Sequence, residues 1–132
     1  VVTTPEEMPV TETLDLIGRL RVETGVGVST VIANRVLPAL FDRRQRAVVD
    51  RLDEVEDLLV AAAGKSVTTV IEAASVTEAR RRVGASHLER LRDGIDDGID
   101  VLYVPELFTR ATGRRVVTLV AESLADELDV GR

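Results

Sequence analysis

Polar residues and prolines follow each strand that this sequence predicts, and those positions are where we expect a ligand. The three groups are Thr4-Pro5-Glu6, Asn34-Arg35 and Pro105-Glu106. In open parallel α/β sheets, ligands bind beyond the carboxyl ends of the strands, because helix N-termini and loop backbones converge there. The carboxamide of Asn34 offers an acceptor and two donors in one plane, which suits the ring nitrogen and exocyclic amine of a nucleobase. Pro105 offers a flat apolar wall without an N–H. The residues alone leave a second interpretation open, in which Asn34 only ends a strand and Pro105 only stops one.

Two other segments imitate functional loops without matching their spacing. Gly64-Lys65-Ser66 has the last residues of a phosphate-binding loop, but Leu59 stands where that loop needs a glycine. We interpret it as a helix stop followed by a solvated lysine. The carboxylates of 96–100 lack the spacing and the later glutamate of an EF-hand loop, so they predict a turn.

The composition excludes several classes of chemistry. The chain has 132 residues, no cysteine, and His87 and Lys65 as its single histidine and lysine. Disulfides, thiol nucleophiles, thiolate zinc sites and multi-histidine metal sites are therefore excluded. The net charge of −6 and the 2% aromatic content argue against nucleic acid, which needs clustered cations or stacking platforms. No apolar run approaches the ~18–20 residues that cross a bilayer, so we expect a cytoplasmic protein that is at most peripheral at a membrane.

Hydrophobic periodicity predicts an α/β segment with parallel strands near 1–3, 26–33 and 99–104. Thr4 and Glu7 fit a capping box for a first helix that starts near Glu6 and ends at Gly25. The residues that should face inward from this helix are Val10, Leu14, Ile17 and Leu20.

The region of about 42–95 predicts a helical insertion between the last two strands. A continuous helix over 42–63 is expected to turn inward Val48, Leu52, Val55, Leu59 and Ala62. A short helix near 67–74 and a longer one through 95, opened by a capping box of Ser75 and Glu78, should follow. The arginines of this last helix alternate with carboxylates, which favours a salt-bridged solvent face over an anion or headgroup site. After Gly113, a closing helix should bury Val117, Val120, Leu124 and Leu128.

The strand-end segments, taken in order, resemble the C-terminal part of an ArsA-like ATPase. This family includes ATPases that drive arsenite pumps and targeting factors for tail-anchored membrane proteins. The resemblance lies in Thr4 to Thr13, in Val31 to Pro38, and in Val104 to Leu107 followed by Gly113 and a last helix. It implies the C-terminal portion of a parallel-sheet P-loop NTPase fold, with the P-loop half absent from this chain.

The resemblance implies roles for particular residues. Asn34 would read adenine, with Arg35, Pro105, Glu106 and Leu107 as walls of the pocket. No catalytic or metal-binding residue is expected here. ATP and magnesium would belong to the full-length parent, so this segment by itself should neither bind them strongly nor hydrolyse ATP.

The resulting expectation is a cytosolic, ATP-binding ATPase that couples its nucleotide state to an anion pump or a client protein. Its expected partners are the missing N-terminal half and a second copy or related subunit in a dimer, with no nucleic acid. The alternative is a non-catalytic subunit-pairing module that keeps the fold without nucleotide. A third option, a phosphoacceptor domain of the response-regulator kind, requires a lysine after a later strand, and none follows Val104.

Overall fold

A three-stranded parallel sheet forms the centre of an α/β fold, in the order β1-β2-β3. The computed structural model describes residues 1–109 and 112–129. The strands are β1 at Val2–Thr3, β2 at Thr30–Val36 and β3 at Asp100–Pro105. The prediction of three parallel strands is confirmed, but β2 begins and ends later than the predicted 26–33. The strand extends past residue 33 because its pairing with β3 resumes beyond an irregularity in the register, where Val36 lies opposite Pro105.

The chain divides into two compact units, and the first contains residues 1–38 and the residues from 83 onward. Helix α1 spans Glu7–Arg19 and continues as a π-helical turn over Leu20–Thr24. Gly25, at φ 70°, ends it as predicted, because glycine adopts the left-handed conformation at little cost. The predicted capping box is wrong: the N-cap is Glu6, with no side-chain bond. The Thr4 carbonyl instead accepts the Glu6 N–H at 2.8 Å in a turn before the helix.

The core of the first unit lies between the sheet and two helices. Its buried members are Val10 and Ile17 of α1, Val31 of β2 and Leu91 of α4 (Ser66–Gly94). Partly buried apolar side chains complete it, namely Leu14, Val28, Leu88, Ile95, Ile99 and Val101. The predicted inner face of α1 is confirmed for Val10, Leu14 and Ile17, which pack on the strand at helical spacing, whereas Leu20 lies in the π-helical turn and outside this core.

The second unit, residues 39–82, is helical, but its helices divide differently from the prediction. Helix α2 spans Arg43–Val49, a 3-10 turn covers Leu52–Val55, and α3 spans Glu56–Ala63. The predicted continuous helix over 42–63 is therefore wrong. None of these three elements buries a residue, so packing does not force their apolar positions onto one axis.

In helix α4, by contrast, two helices that the sequence predicts separately form one continuous helix. Ser75 and Glu78 lie in its interior, and the predicted capping box there is wrong. Glu78 instead accepts hydrogen bonds from Arg81 and Arg82 of the next turn, which satisfies its carboxylate inside a continuous helix. None of the helices in the described ranges is both long and apolar enough to cross a membrane.

Helix α5, at Arg114–Asp129, protects the outer edge of the sheet. The backbone N–H of Tyr103 in β3 donates to the carboxylate of Glu127 at 3.0 Å. This contact fixes the rotation of the helix, so the predicted inward positions Val117 and Leu128 are exposed. The half-buried stripe consists of Val116, Leu119, Val120, Ser123, Leu124 and Glu127.

Candidate functional site

The carboxyl ends of β2 and β3 are joined by an ion pair and a backbone hydrogen bond. The Nε of Arg35 donates to Oε2 of Glu106 at 2.8 Å. The Glu106 N–H donates to the carbonyl of Val36 at 2.8 Å, so the chain after β3 stays beside the end of β2. The side chains of Arg35 and Glu106 are 61% and 27% exposed, respectively. A surface pair of this kind gives geometry more than stability.

Arg35 has a left-handed backbone, with φ 61°, and is the single non-glycine residue with positive φ in 1–109 and 112–129. It lies in the irregular stretch between Ala33 and Val36, where β2 has one more residue than β3. Such bulges re-aim side chains at the ends of strands and next to functional sites. The extra residue explains how Asn34 and Arg35 both come to lie within β2.

The sequence predicts that Asn34 follows the second strand. In the structure, Asn34 is part of β2. Its Oδ1 accepts the N–H of Arg35 at 2.9 Å. This bond uses one lone pair of the oxygen and leaves the second lone pair and the NH2 group for a ligand. Asn34 is half-buried, and its NH2 group makes no hydrogen bond within the described ranges.

Two carboxylates act on Arg35. The hydrogen bond from its guanidinium to Glu106, then the charge of Glu106, and finally the charge of Glu6 raise the pKa of Arg35. Glu6 follows β1, Arg35 lies near the end of β2 and Glu106 follows β3, so all three strand ends contribute to one cluster, which we call the strand-end cluster (Glu6, Arg35 and Glu106). Its formal charge is −1, from two carboxylates and one guanidinium. A cluster of that sign does not attract a phosphate, but it tolerates the neutral, hydrogen-bonding edge of a base.

The predicted pocket walls lie close to Asn34 in the register, but not on one face. Pro105 lies opposite Val36, two residues beyond Asn34. Side chains alternate along a strand, so Asn34 shares a face with Ile32, whereas Pro105 shares a face with Tyr103. A planar ring that touches both must therefore lie across the end of the sheet. Leu107 is half-buried, and its carbonyl accepts the N–H of Thr109 at 2.8 Å in the turn that follows.

Helix α4 supports the segment after β1. A Cβ added to Gly84 would lie 3.5 Å from both Cβ and the carbonyl oxygen of Pro5. Helix α4 is therefore close to Pro5 at this point, where an alanine would make an ordinary van der Waals contact and a larger side chain would crowd the proline.

Sequence reasoning named the residues of the strand-end cluster, but missed the conformation that connects them. Arginine has no preference for the left-handed region, so nothing in the sequence marked Arg35 as a bulge residue. Its opposite charge to Glu106, at the end of the neighbouring predicted strand, was the signal that could have indicated the ion pair. The role of Glu127 was also missed, because a charged residue on a terminal helix is usually solvated.

The two segments that partly match functional loops, Gly64-Lys65-Ser66 and 96–100, have structural roles. Gly64, at φ 85°, follows the last residue of α3, and Lys65 is exposed, which agrees with a helix stop and a solvated lysine. Asp97-Gly98 forms the predicted turn. Among the residues with a described placement, no group of three or more His, Asp or Glu residues could hold a metal ion.

No model of a known family matches the chain, and a search of curated proteins finds no match to it.

Proposed function

We propose that this chain forms the adenine end of a nucleotide site and is the C-terminal segment of an ArsA-like, P-loop ATPase. The observation that carries the proposal is the orientation of Asn34, whose Oδ1 binds the Arg35 N–H and whose NH2 group remains available. The base would lie across the end of the sheet, with Pro105 and Leu107 as apolar walls. The order of the strand-end segments, which resembles that family, supports the same assignment.

The geometry of Asn34 favours adenine over guanine. The NH2 group donates to a ring nitrogen, and the free lone pair of Oδ1 accepts from the exocyclic amine. Guanine offers two acceptors, O6 and N7, at the equivalent edge, so the amide oxygen would meet an acceptor. A site that leaves polar groups unpaired in this way rejects the wrong ligand strongly.

The remainder of the ATPase would come from outside this chain. Phosphate binding needs a glycine-rich loop with a lysine, and a Ser or Thr that holds magnesium, all of which the proposal assigns to an N-terminal half. ATP and magnesium would bind there, so hydrolysis would require both halves. The parent would be a cytoplasmic dimer, of two identical or related subunits, that drives an anion pump or delivers a client protein to a membrane.

β1 is an outer strand of the sheet, with no strand on its other side among the described residues, which supports an additional strand there. Val2 is 64% exposed, whereas the opposite edge, at Tyr103, is closed by Glu127. Unpaired strand edges are usually covered or paired. The same observation favours the second candidate function, a subunit-pairing module that binds no nucleotide, because a partner strand could come from another protein.

Binding measurements on the protein expressed from its complete reading frame separate these functions. Asn34→Ala is expected to weaken ATP binding by about 1–3 kcal/mol in calorimetric titrations, because the polar base edge loses its partner. Thr69→Ala, an exposed polar change in the second unit, is the control and should bind ATP as the unaltered protein does. Equal ATP affinity of the Asn34 variant would support the pairing module. The reading frame itself gives a further test, since an ArsA-like parent should encode a strand followed by Lys-Gly-Gly-x-Gly-Lys-Thr before Val1.

A further inference from the structure

We infer that Arg35 and Glu106 are positioning residues, whose ion pair holds the Asn34 carboxamide in the orientation that reads the base. The inference rests on the proposed function, because it concerns recognition at the same site. Neither side chain needs to touch the nucleotide. Their effect reaches the base through Asn34.

A continuous series of hydrogen bonds connects Glu106 to Asn34. The Glu106 N–H binds the carbonyl of Val36, which holds the segment after β3 against β2. Its carboxylate accepts from the Arg35 side chain at 2.8 Å, and the Arg35 N–H donates to Asn34 Oδ1 at 2.9 Å. Asn34 and Val36 flank Arg35 in sequence, so the hydrogen bonds that run from Val36 through Glu106 and Arg35 to Asn34 begin and end in β2. A change at Glu106 therefore reaches Asn34 through a single intervening residue.

The left-handed backbone of Arg35 makes these bonds necessary. At φ 61°, the Cβ of an L-residue crowds its own backbone, and such conformations persist only where the surroundings hold them. The Arg35 side chain is 61% exposed, so apolar burial does not hold it. The ladder pairs on either side of Arg35 and its hydrogen bonds to Asn34 and Glu106 are the contacts that do. If Arg35 relaxed to a right-handed or extended conformation, its N–H would turn away and Asn34 would lose its fixed orientation.

Glu6 provides a matched control within the strand-end cluster. It attracts Arg35 by charge, whereas Glu106 also accepts a hydrogen bond from it. The Glu6 side chain makes no capping bond to α1, so neutralising it removes a charge without removing a helix cap. Glu6→Ala and Glu106→Ala thus change the net charge of the cluster equally, and only the second removes the acceptor of the ion pair.

The decisive experiment compares a nucleotide with a ligand that has no base. Affinities for ATP and for inorganic tripolyphosphate are measured by calorimetry on the complete protein and on its Glu106→Ala, Arg35→Ala, Glu6→Ala and Asn34→Ala variants. We expect Glu106→Ala and Arg35→Ala each to weaken ATP binding by about threefold to tenfold, the effect of one lost hydrogen bond. Tripolyphosphate binding should stay unchanged, and Glu6→Ala should change ATP binding less than twofold. The double variant Arg35→Ala/Glu106→Ala should lose no more than either single variant, because both break the same pair.

A spectroscopic measurement separates positioning from general damage. In 15N-labelled protein without nucleotide, the Asn34 side-chain resonances should shift in Glu106→Ala and Arg35→Ala, and should stay in place in Glu6→Ala. Equal losses of ATP and tripolyphosphate affinity would overturn the inference, since they indicate a damaged site and not a misplaced amide. Normal ATP affinity of Glu106→Ala, together with a loss in Asn34→Ala, would overturn it and leave the proposed function intact. Normal affinity of Asn34→Ala would instead overturn the proposed function itself.

Discussion

The guanidinium of Arg35 lies 2.8 Å from the carboxylate of Glu106, although 71 positions separate the two residues in the chain. The contact exists because β2 and β3 are parallel neighbours and end at the same edge of the sheet. It joins the two segments that the proposed base pocket requires. The helical insertion between them therefore changes their separation in sequence, but not in space.

Substitutions at Arg35 should separate backbone conformation from the ion pair. Arg35→Gly and Arg35→Ala both remove the guanidinium, but only glycine adopts φ 61° without crowding a Cβ. We expect the glycine variant to be more stable than the alanine variant by about 1 kcal/mol, the usual cost of a left-handed non-glycine residue. Urea unfolding of the two variants measures the difference. An alanine variant as stable as the glycine variant would mean that the bulge is not kept in the unbound chain.

Removal of the Glu127 carboxylate should expose the edge of β3. Glu127→Ala leaves the Tyr103 N–H without its acceptor, and a hydrogen bond to a charged group contributes about 1.5–3 kcal/mol. We expect a loss of about 1–2 kcal/mol in unfolding free energy, since the contact is partly exposed. Glu127→Gln should lose less, because the amide oxygen can still accept. Light scattering at increasing concentration should also show self-association, as free strand edges pair with other chains.

Glu122→Ala is the control for this prediction. Glu122 lies on the same helix and is exposed, so its removal should change neither stability nor association. If the two alanine variants behave alike, the Glu127 contact does not protect the sheet edge.

The carboxylate of Glu78 should make the stability of the chain depend on acidic pH. The side chain is 3% exposed, and the hydrogen bond from Arg81, followed by the charges of Arg81 and Arg82, lowers the pKa of Glu78 against the effect of burial. A group whose folded pKa is lowered stabilises the fold fully above its unfolded pKa, which is about 4.3 for glutamate. That contribution is lost as the pH falls from there through the folded pKa. Glu78→Gln should therefore destabilise the protein by about 2 kcal/mol at pH 7 and by progressively less below pH 4.

Urea titrations at a series of pH values measure this dependence. Glu72→Gln is the matched control, because Glu72 is exposed on the same helix. A Glu78 variant whose deficit stayed constant from pH 7 to pH 3 would show that the deficit arises from packing and not from the ionised carboxylate.

The elements that the sequence predicts correctly are those with a buried apolar stripe. Val10, Leu14 and Ile17 recur at helical spacing and pack in the core, and Gly25 ends the helical segment that they define. The strands are found because runs of β-branched residues between turn signals seldom have another use in a parallel sheet. The prediction fails over 42–63, where an equally regular stripe has no buried partner and the helix divides. Periodicity measures the capacity to pack, and only a packing surface converts that capacity into one continuous helix.

The candidate site divides in the same way. Residue types indicated which groups the proposed base site would use, since strands that end together bring Asn34, Arg35, Pro105 and Glu106 to one edge. The left-handed bulge at Arg35 and the inclusion of Asn34 in β2 depend on where the ladder with β3 resumes, which no local pattern encodes.

The sequence by itself therefore determined the alternation of strands and helices, the exclusion of thiol and multi-histidine chemistry, and the chemical character of the strand ends. Tertiary structure decided the register, the rotation of α5 set by Glu127, and the direction in which the Asn34 amide is presented. The physical reason is the range of the interactions. Propensity and periodicity act over a few residues, whereas a hydrogen bond such as Arg35 to Glu106 exists only after distant strands have paired.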